Sequence, residues 1–215
     1  LYGTLEKETG VSTGFKRVVS INVALTKERM EELSRSAAMA RAFDVAVEEI
    51  SPDEVLQKYP HINLDGIVGG VFLEKDGQGD PANIALALAK GAKQKGANVI
   101  EGTKVTKIHK SGRVVKGVDW VSGSGETGHT TCEMIVNCAG MWGHEVGKMA
   151  GVNVPLHACE HFYIVSEPIE GLSQLPVLRV LDECAYYKED AGKLLLGIFE
   201  GKSIPAFDKT NKVPE

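Results

Sequence analysis

Past residue 97 the sequence gives up helical periodicity for a succession of short β-prone runs, 98–101, 105–109, 114–121 and 130–137, set directly behind a capped helix. That helix starts at Asp80-Pro81, carries Ile84, Leu88 and Ala92, and has Gly96 placed to end it. A helix feeding a β-meander is the element pair that the rest of the chain has to accommodate. After the meander the spacing predicts a short helix over 142–150, closed by Gly151, and strands over 154–166, 177–181, 185–188 and 194–199.

The first 80 residues carry clear helix signals. Thr26 is placed to cap a helix with apolar positions Met30, Leu33, Ala37, Ala40 and Phe43, and Glu28 sits in its favourable first turn. A β-like run over 45–50 leads into Ser51-Pro52-Asp53-Glu54, where Ser51 caps, Pro52 takes the first helical position and Glu54 closes a capping box. Pro60 ends that helix, and Gly69-Gly70-Val71-Phe72-Leu73 reads as a strand. No internal repeat or low-complexity linker marks a flexible boundary.

With 43% hydrophobic and 25% charged residues the chain is globular rather than disordered. No apolar run approaches the roughly 20 residues needed to span a bilayer, and the N-terminus lacks the basic start and apolar centre of a signal peptide. The net charge of -5 is dispersed, which argues against nucleic acid and for small molecules as partners. The four cysteines, Cys132, Cys138, Cys159 and Cys184, form no C-x-x-C pair, and three fall in apolar or β-rich stretches where free thiols pack. A soluble protein of a reducing compartment follows: the cytoplasm, or the mitochondrial matrix of a eukaryote. Leu1 and the unclosed C-terminal stretch predict a fragment of something longer.

Two motifs invite chemistry they do not support. Gly123-Ser124-Gly125-Glu126-Thr127-Gly128 has dinucleotide-binding spacing, but a strand-like run follows it and Glu126 would face phosphate, so a hairpin loop is the better reading. His157 and His161 would share a face on a helix. On a strand they lie roughly 13 Å apart, too far for one ion. The β-rich continuation Phe162-Tyr163-Ile164-Val165 favours the strand, and no metal site is assigned. Strand alternation then places His157, Cys159, His161 and Tyr163 on one face, and lets only one of Tyr186 and Tyr187 point the same way. Ala139-Gly140, between a strand and a helix, is a place where a nucleotide can approach backbone.

Several passages, in order, resemble the flavin-dependent amino-acid oxidoreductase family in its dimethylglycine/sarcosine dehydrogenase branch. They are Leu5-Glu6-Lys7-Glu8-Thr9-Gly10; Gly79-Asp80-Pro81 with the helix and Gly96-Ala97-Asn98-Val99-Ile100-Glu101-Gly102-Thr103-Lys104-Val105; Val136-Asn137-Cys138-Ala139-Gly140-Met141-Trp142; Pro155 through Tyr163; and Leu178-Arg179 followed by Tyr186-Tyr187.

The resemblance implies an α+β fold in which a partial FAD-binding domain and a substrate domain with a mixed or antiparallel sheet are interleaved. Residues 1–78 and 152–215 would form the substrate domain and 79–151 the partial FAD-binding domain. It implies FAD as cofactor, with Val105 on the strand that contacts the adenine and Ala139, Gly140 and Trp142 at the turn beside the dinucleotide. His161 and Tyr186 match the active-site pair over the flavin. The implied reaction is oxidation of a secondary or tertiary amine such as dimethylglycine or sarcosine, with a small-molecule amine as partner, no nucleic acid and no membrane; a homo-oligomer is compatible with it. The dinucleotide fingerprint, the acidic ribose contact, the histidine that tethers FAD and the C-terminal folate-binding portion of this branch have no counterpart here, so the 215 residues alone are expected to be inactive. The competing reading is a non-catalytic relative resembling the regulatory subunit of pyruvate dehydrogenase phosphatase, which shares the wording His157-Ala158-Cys159-Glu160-His161-Phe162-Tyr163.

Overall fold

The computed structural model describes residues 1–172 and 174–206. The described residues divide into two units: Leu1–Ala97 with His161–Lys202, and Asn98–Glu160 with residues 203–206.

The first unit is built on a seven-stranded mixed sheet of order β2-β3-β1-β8-β9-β10-β7. The strands are β1 (Ser20–Ala24), β2 (Glu48–Ile50), β3 (Gly69–Leu73), β7 (Phe162–Val165), β8 (Val177–Val180), β9 (Ala185–Asp190) and β10 (Lys193–Ile198). The pairing of β1 with β8 is parallel, and the other neighbours run antiparallel. β1 escaped the sequence reading because it is only five residues long, although Ser20-Ile21-Asn22-Val23 alternates polar and apolar residues; Ile21, Val23 and Ala24 are fully buried.

Helices α1 (Tyr2–Thr9), α2 (Lys27–Ala42), α3 (Pro52–Lys58) and α4 (Pro81–Gln94) complete this unit. Their starts follow the local chemistry. Thr26 Oγ1 accepts from Arg29 N–H, Asp80 Oδ1 accepts from Asn83 N–H, and Ser51 with Glu54 forms the reciprocal capping box. Leu33 and Ala37 of α2 pack with Ala24, Val47 and Val71 on one face of the sheet. Val55 of α3 and Tyr59 pack with Ile21, Val23, Leu178 and Val180 on the other.

Two expected faces differ. Phe43 lies past the last turn of α2 and is 76% exposed. On α4 the buried position is Ala87, not Leu88, because the helix meets α1 through small residues; a Cβ on Gly91 would come 3.3 Å from Thr9 Cγ2.

The second unit holds a three-stranded antiparallel meander, β4 (Thr103–Ser111), β5 (Val114–Ser122) and β6 (Thr127–Thr131), then a 3-10 turn at Gly140–Trp142 and helix α5 (Gly143–Met149). The Gly123 to Gly128 stretch is the β5–β6 hairpin turn, with Ser122 N–H donating to Glu126 O and Gly125 at φ 86. The strand expected over 130–137 begins and ends earlier, at Thr127–Thr131. Its ladder runs out where β5 starts: Thr131 pairs Gly117, Cys132 N–H reaches Lys116 O, and beyond lies the β4–β5 turn. Residues 98–101 likewise form no ladder, so Ile100, Met134 and Val136 are 72%, 78% and 76% exposed. Of the strand expected over 154–166, the described residues realise β7 and, upstream, a single bridge, Cys159 with Pro205. Cys138, Cys159 and Cys184 are exposed rather than packed, because two lie in these unladdered stretches and Cys184 occupies a left-handed turn.

Candidate functional site

Registers across the first sheet set a row of side chains on one face: Val71, Asn22, Arg179, Tyr186, Gly197 and Tyr163 are successive partners from β3 to β7. Paired residues of adjacent strands project to the same side. At the β1 end α2 covers this face, whereas Arg179 and Tyr163 at the other end are exposed. Within the row Asn22 Oδ1 is buried and has no hydrogen-bond partner among the described residues.

His161, just before β7, belongs to this open end. Its ring meets Phe199 edge-on at 5.4 Å, and Tyr186 meets the same phenyl ring at 5.6 Å. The histidine and tyrosine singled out from the sequence are therefore gathered around one residue, Phe199, that the sequence reading did not name. A carboxylate completes the group, Glu200 Oε2 lying 3.3 Å from His161 Nδ1. A carboxylate there favours the proton on Nδ1 and leaves Nε2 as the acceptor. Tyr186 can lie flat because its partner is Gly197: a Cβ at that position would come 2.1 Å from Tyr186 Cζ. Tyr187 points to the opposite face and joins the core with Tyr59 around a cavity of about 530 Å³. Burial, then the charge of Glu183, pushes its hydroxyl pKa up.

The second unit contains a larger cavity, about 850 Å³, walled by Gly102–Val105, the end of β5 through Gly123, and Ala139, Trp142, Val146 and Met149. Val105, Ala139 and Trp142 thus share one cavity. Gly140 does not line it; its φ of 53° makes the turn that follows Ala139. Small residues at Gly102, Gly123 and Ala139 with apolar walls suit a flat ring system. The described residues build no glycine turn between strand and helix to receive a pyrophosphate, so the fit is to one part of a dinucleotide. No helix among the described residues is long and apolar enough to cross a membrane.

The solved L-proline dehydrogenase of P. horikoshii shares this fold, with a TM-score of 0.81 at 24% identity, over 96% of this chain and 54% of that one. The chain belongs to the FAD dependent oxidoreductase (DAO) family, whose match runs over residues 1–213. Human mitochondrial sarcosine dehydrogenase is 37% identical over 93% of this chain and 22% of its own length. The mouse mitochondrial regulatory subunit of pyruvate dehydrogenase phosphatase is 34% identical over 96% of this chain and 24% of its own. The chain thus spans about a quarter of the length of these relatives.

Proposed function

We propose that the protein oxidises a small secondary or tertiary amine bearing a carboxylate, of the sarcosine or dimethylglycine kind. FAD, when bound, supplies the hydride acceptor. His161 Nε2 takes the amine proton, so that the nitrogen lone pair is free to form the carbon–nitrogen double bond as hydride leaves the adjacent carbon. Glu200 at Nδ1 stabilises the imidazolium that results. The Tyr186 hydroxyl orients the substrate, and Arg179, its register partner on β8, pairs with the substrate carboxylate. Val105, Ala139 and Trp142 would hold part of the dinucleotide, with Gly140 making the turn that positions Ala139 and Trp142. A folate acceptor for the released one-carbon unit belongs to the same reading, as does a reducing compartment for the exposed thiols.

The observation that carries this reading is the convergence of His161 and Tyr186 on Phe199 at the uncovered end of the sheet. His161→Gln in the holoenzyme is expected to slow anaerobic flavin bleaching by sarcosine or dimethylglycine about 10²- to 10⁴-fold, the range for losing a general base. Unchanged bleaching would remove the role. The 34% identity to the phosphatase regulatory subunit supports a second, non-catalytic reading. That reading expects no bleaching by either amine and a phosphatase that co-purifies with the protein.

A further inference from the structure

The three strands of the meander bring together side chains that are far apart in the sequence. His109 of β4, Asp119 of β5 and His129 of β6 meet on one face. Asp119 is the register partner of His129, and His109 is the partner of Gly117, two positions along β5. The Asp119 carboxylate lies between the rings, with Oδ1 2.8 Å from His129 Nδ1 and Oδ2 2.7 Å from His109 Nε2. The rings stand edge to face at 5.1 Å. Gly117 makes that approach feasible, since a Cβ there would come 2.8 Å from His129 Nε2.

We propose that His109, Asp119 and His129 form a binding site for a divalent transition-metal ion, with Zn²⁺ as the ion of best match. One nitrogen from each histidine and one carboxylate oxygen lie within 4.8 Å of one another. Ligands about 2.0–2.2 Å from a tetrahedral zinc stand roughly 3.4 Å apart, so the set closes on an ion by side-chain rotation of about an ångström. Two imidazoles and a carboxylate are the borderline donor set that Zn²⁺ prefers, and water takes the fourth position on this half-exposed face.

The second observation is at His109. Its Nε2 is shielded from solvent and makes no hydrogen bond of acceptable geometry, although it lies 2.7 Å from the Asp119 carboxylate. Closeness without good alignment keeps a ring nitrogen directed into the cluster with the Asp119 carboxylate as its contact, and a metal ion between the two would engage both. Lys107, the register partner of Asp119, shares this face and is exposed. Its charge opposes a cation and weakens the site.

The cysteines are the main competing ligands, and cobalt separates the two kinds of site. Titrating the protein with Co²⁺ is expected to give one equivalent of a nitrogen- and oxygen-bound tetrahedral spectrum, without the near-ultraviolet thiolate band, and Zn²⁺ should displace it. His129→Ala and His109→Ala should each weaken that equivalent at least tenfold. His144→Ala, on α5 with its Nδ1 already on Val154 O at 2.7 Å, should leave it unchanged. Far-ultraviolet circular dichroism checks that each variant keeps its fold. Equal Co²⁺ binding by folded wild type and His109→Ala/His129→Ala, or a spectrum dominated by the thiolate band, would overturn the site and leave the three residues as a hydrogen-bonded cluster. Neither result depends on amine oxidation.

Discussion

Tyr186 lies over Gly197 beside Phe199 on the open face, while Tyr187 packs against the core that holds Tyr59 on the other. One step along a strand separates a group able to meet a ligand from one able only to pack. Alternation was legible in the sequence, but which of the two tyrosines faces His161 depended on a register that only the β9–β10 and β10–β7 ladders define. Gly197→Ala should therefore act through Tyr186. Its methyl would fall within van der Waals distance of the ring, so the variant is expected to lose about 1–3 kcal/mol of stability as the ring is forced aside. Flavin reduction in the holoenzyme should drop with it, whereas Tyr187→Phe should leave reduction within about twofold; thermal unfolding and stopped-flow absorbance report the two effects. Arg179→Met is expected to raise KM for a carboxylate-bearing amine about tenfold or more, as the loss of a charge-assisted hydrogen bond of roughly 1.5–3 kcal/mol requires, with a smaller change in kcat. The metal cluster was illegible for a different reason. His109, Asp119 and His129 follow no ligand motif along the chain, and only two consecutive hairpins make them neighbours.

Element ends were the most readable part of the fold, because a cap is chemistry confined to four residues. Thr26, Ser51 with Glu54, and Asp80 each begin a helix as their side chains dictate. Strands were less readable wherever their existence depended on a partner: the alternation of β1 is confined to a few residues, and residues 132–137 have strand composition but no ladder among the described residues. Between these elements sits one ionic clamp. Asp182 Oδ2 accepts from Leu25 N–H at 2.9 Å and Oδ1 from Arg29 Nε at 3.0 Å, tying the end of β1 and the first turn of α2 to the turn after β8. Burial pushes the Asp182 pKa up, but the Leu25 and Arg29 hydrogen bonds outweigh it and hold the carboxyl below its ordinary range. A depressed folded-state pKa contributes stability that is fully present above the unfolded value of about 3.9 and is lost as pH falls through the folded one. Asp182→Asn should thus cost about 1–3 kcal/mol at neutral pH, and the gap to wild type should narrow below about pH 4 in urea titrations.

At the scale of the molecule, Ile100, Met134 and Val136 stand out as exposed apolar groups on stretches that no described strand pairs. Such segments are templates for another chain. The 215-residue polypeptide is expected to self-associate in a concentration-dependent way, and Val136→Lys to shift it toward monomer in sedimentation velocity. Equal association of the two would place the contact elsewhere. The order of synthesis adds a constraint of its own. β1 has β8 as its parallel neighbour, and Leu25 finds its acceptor in Asp182, 157 positions downstream. At roughly 5–20 residues per second, β1 waits about 8–30 s for that neighbour to leave the ribosome. The meander, whose pairings are all local, is translated and able to close within that wait. A nascent chain stalled before residue 177 should accordingly show a protease-resistant meander behind a protease-sensitive first segment, with half of one sheet held open for the duration of its own translation.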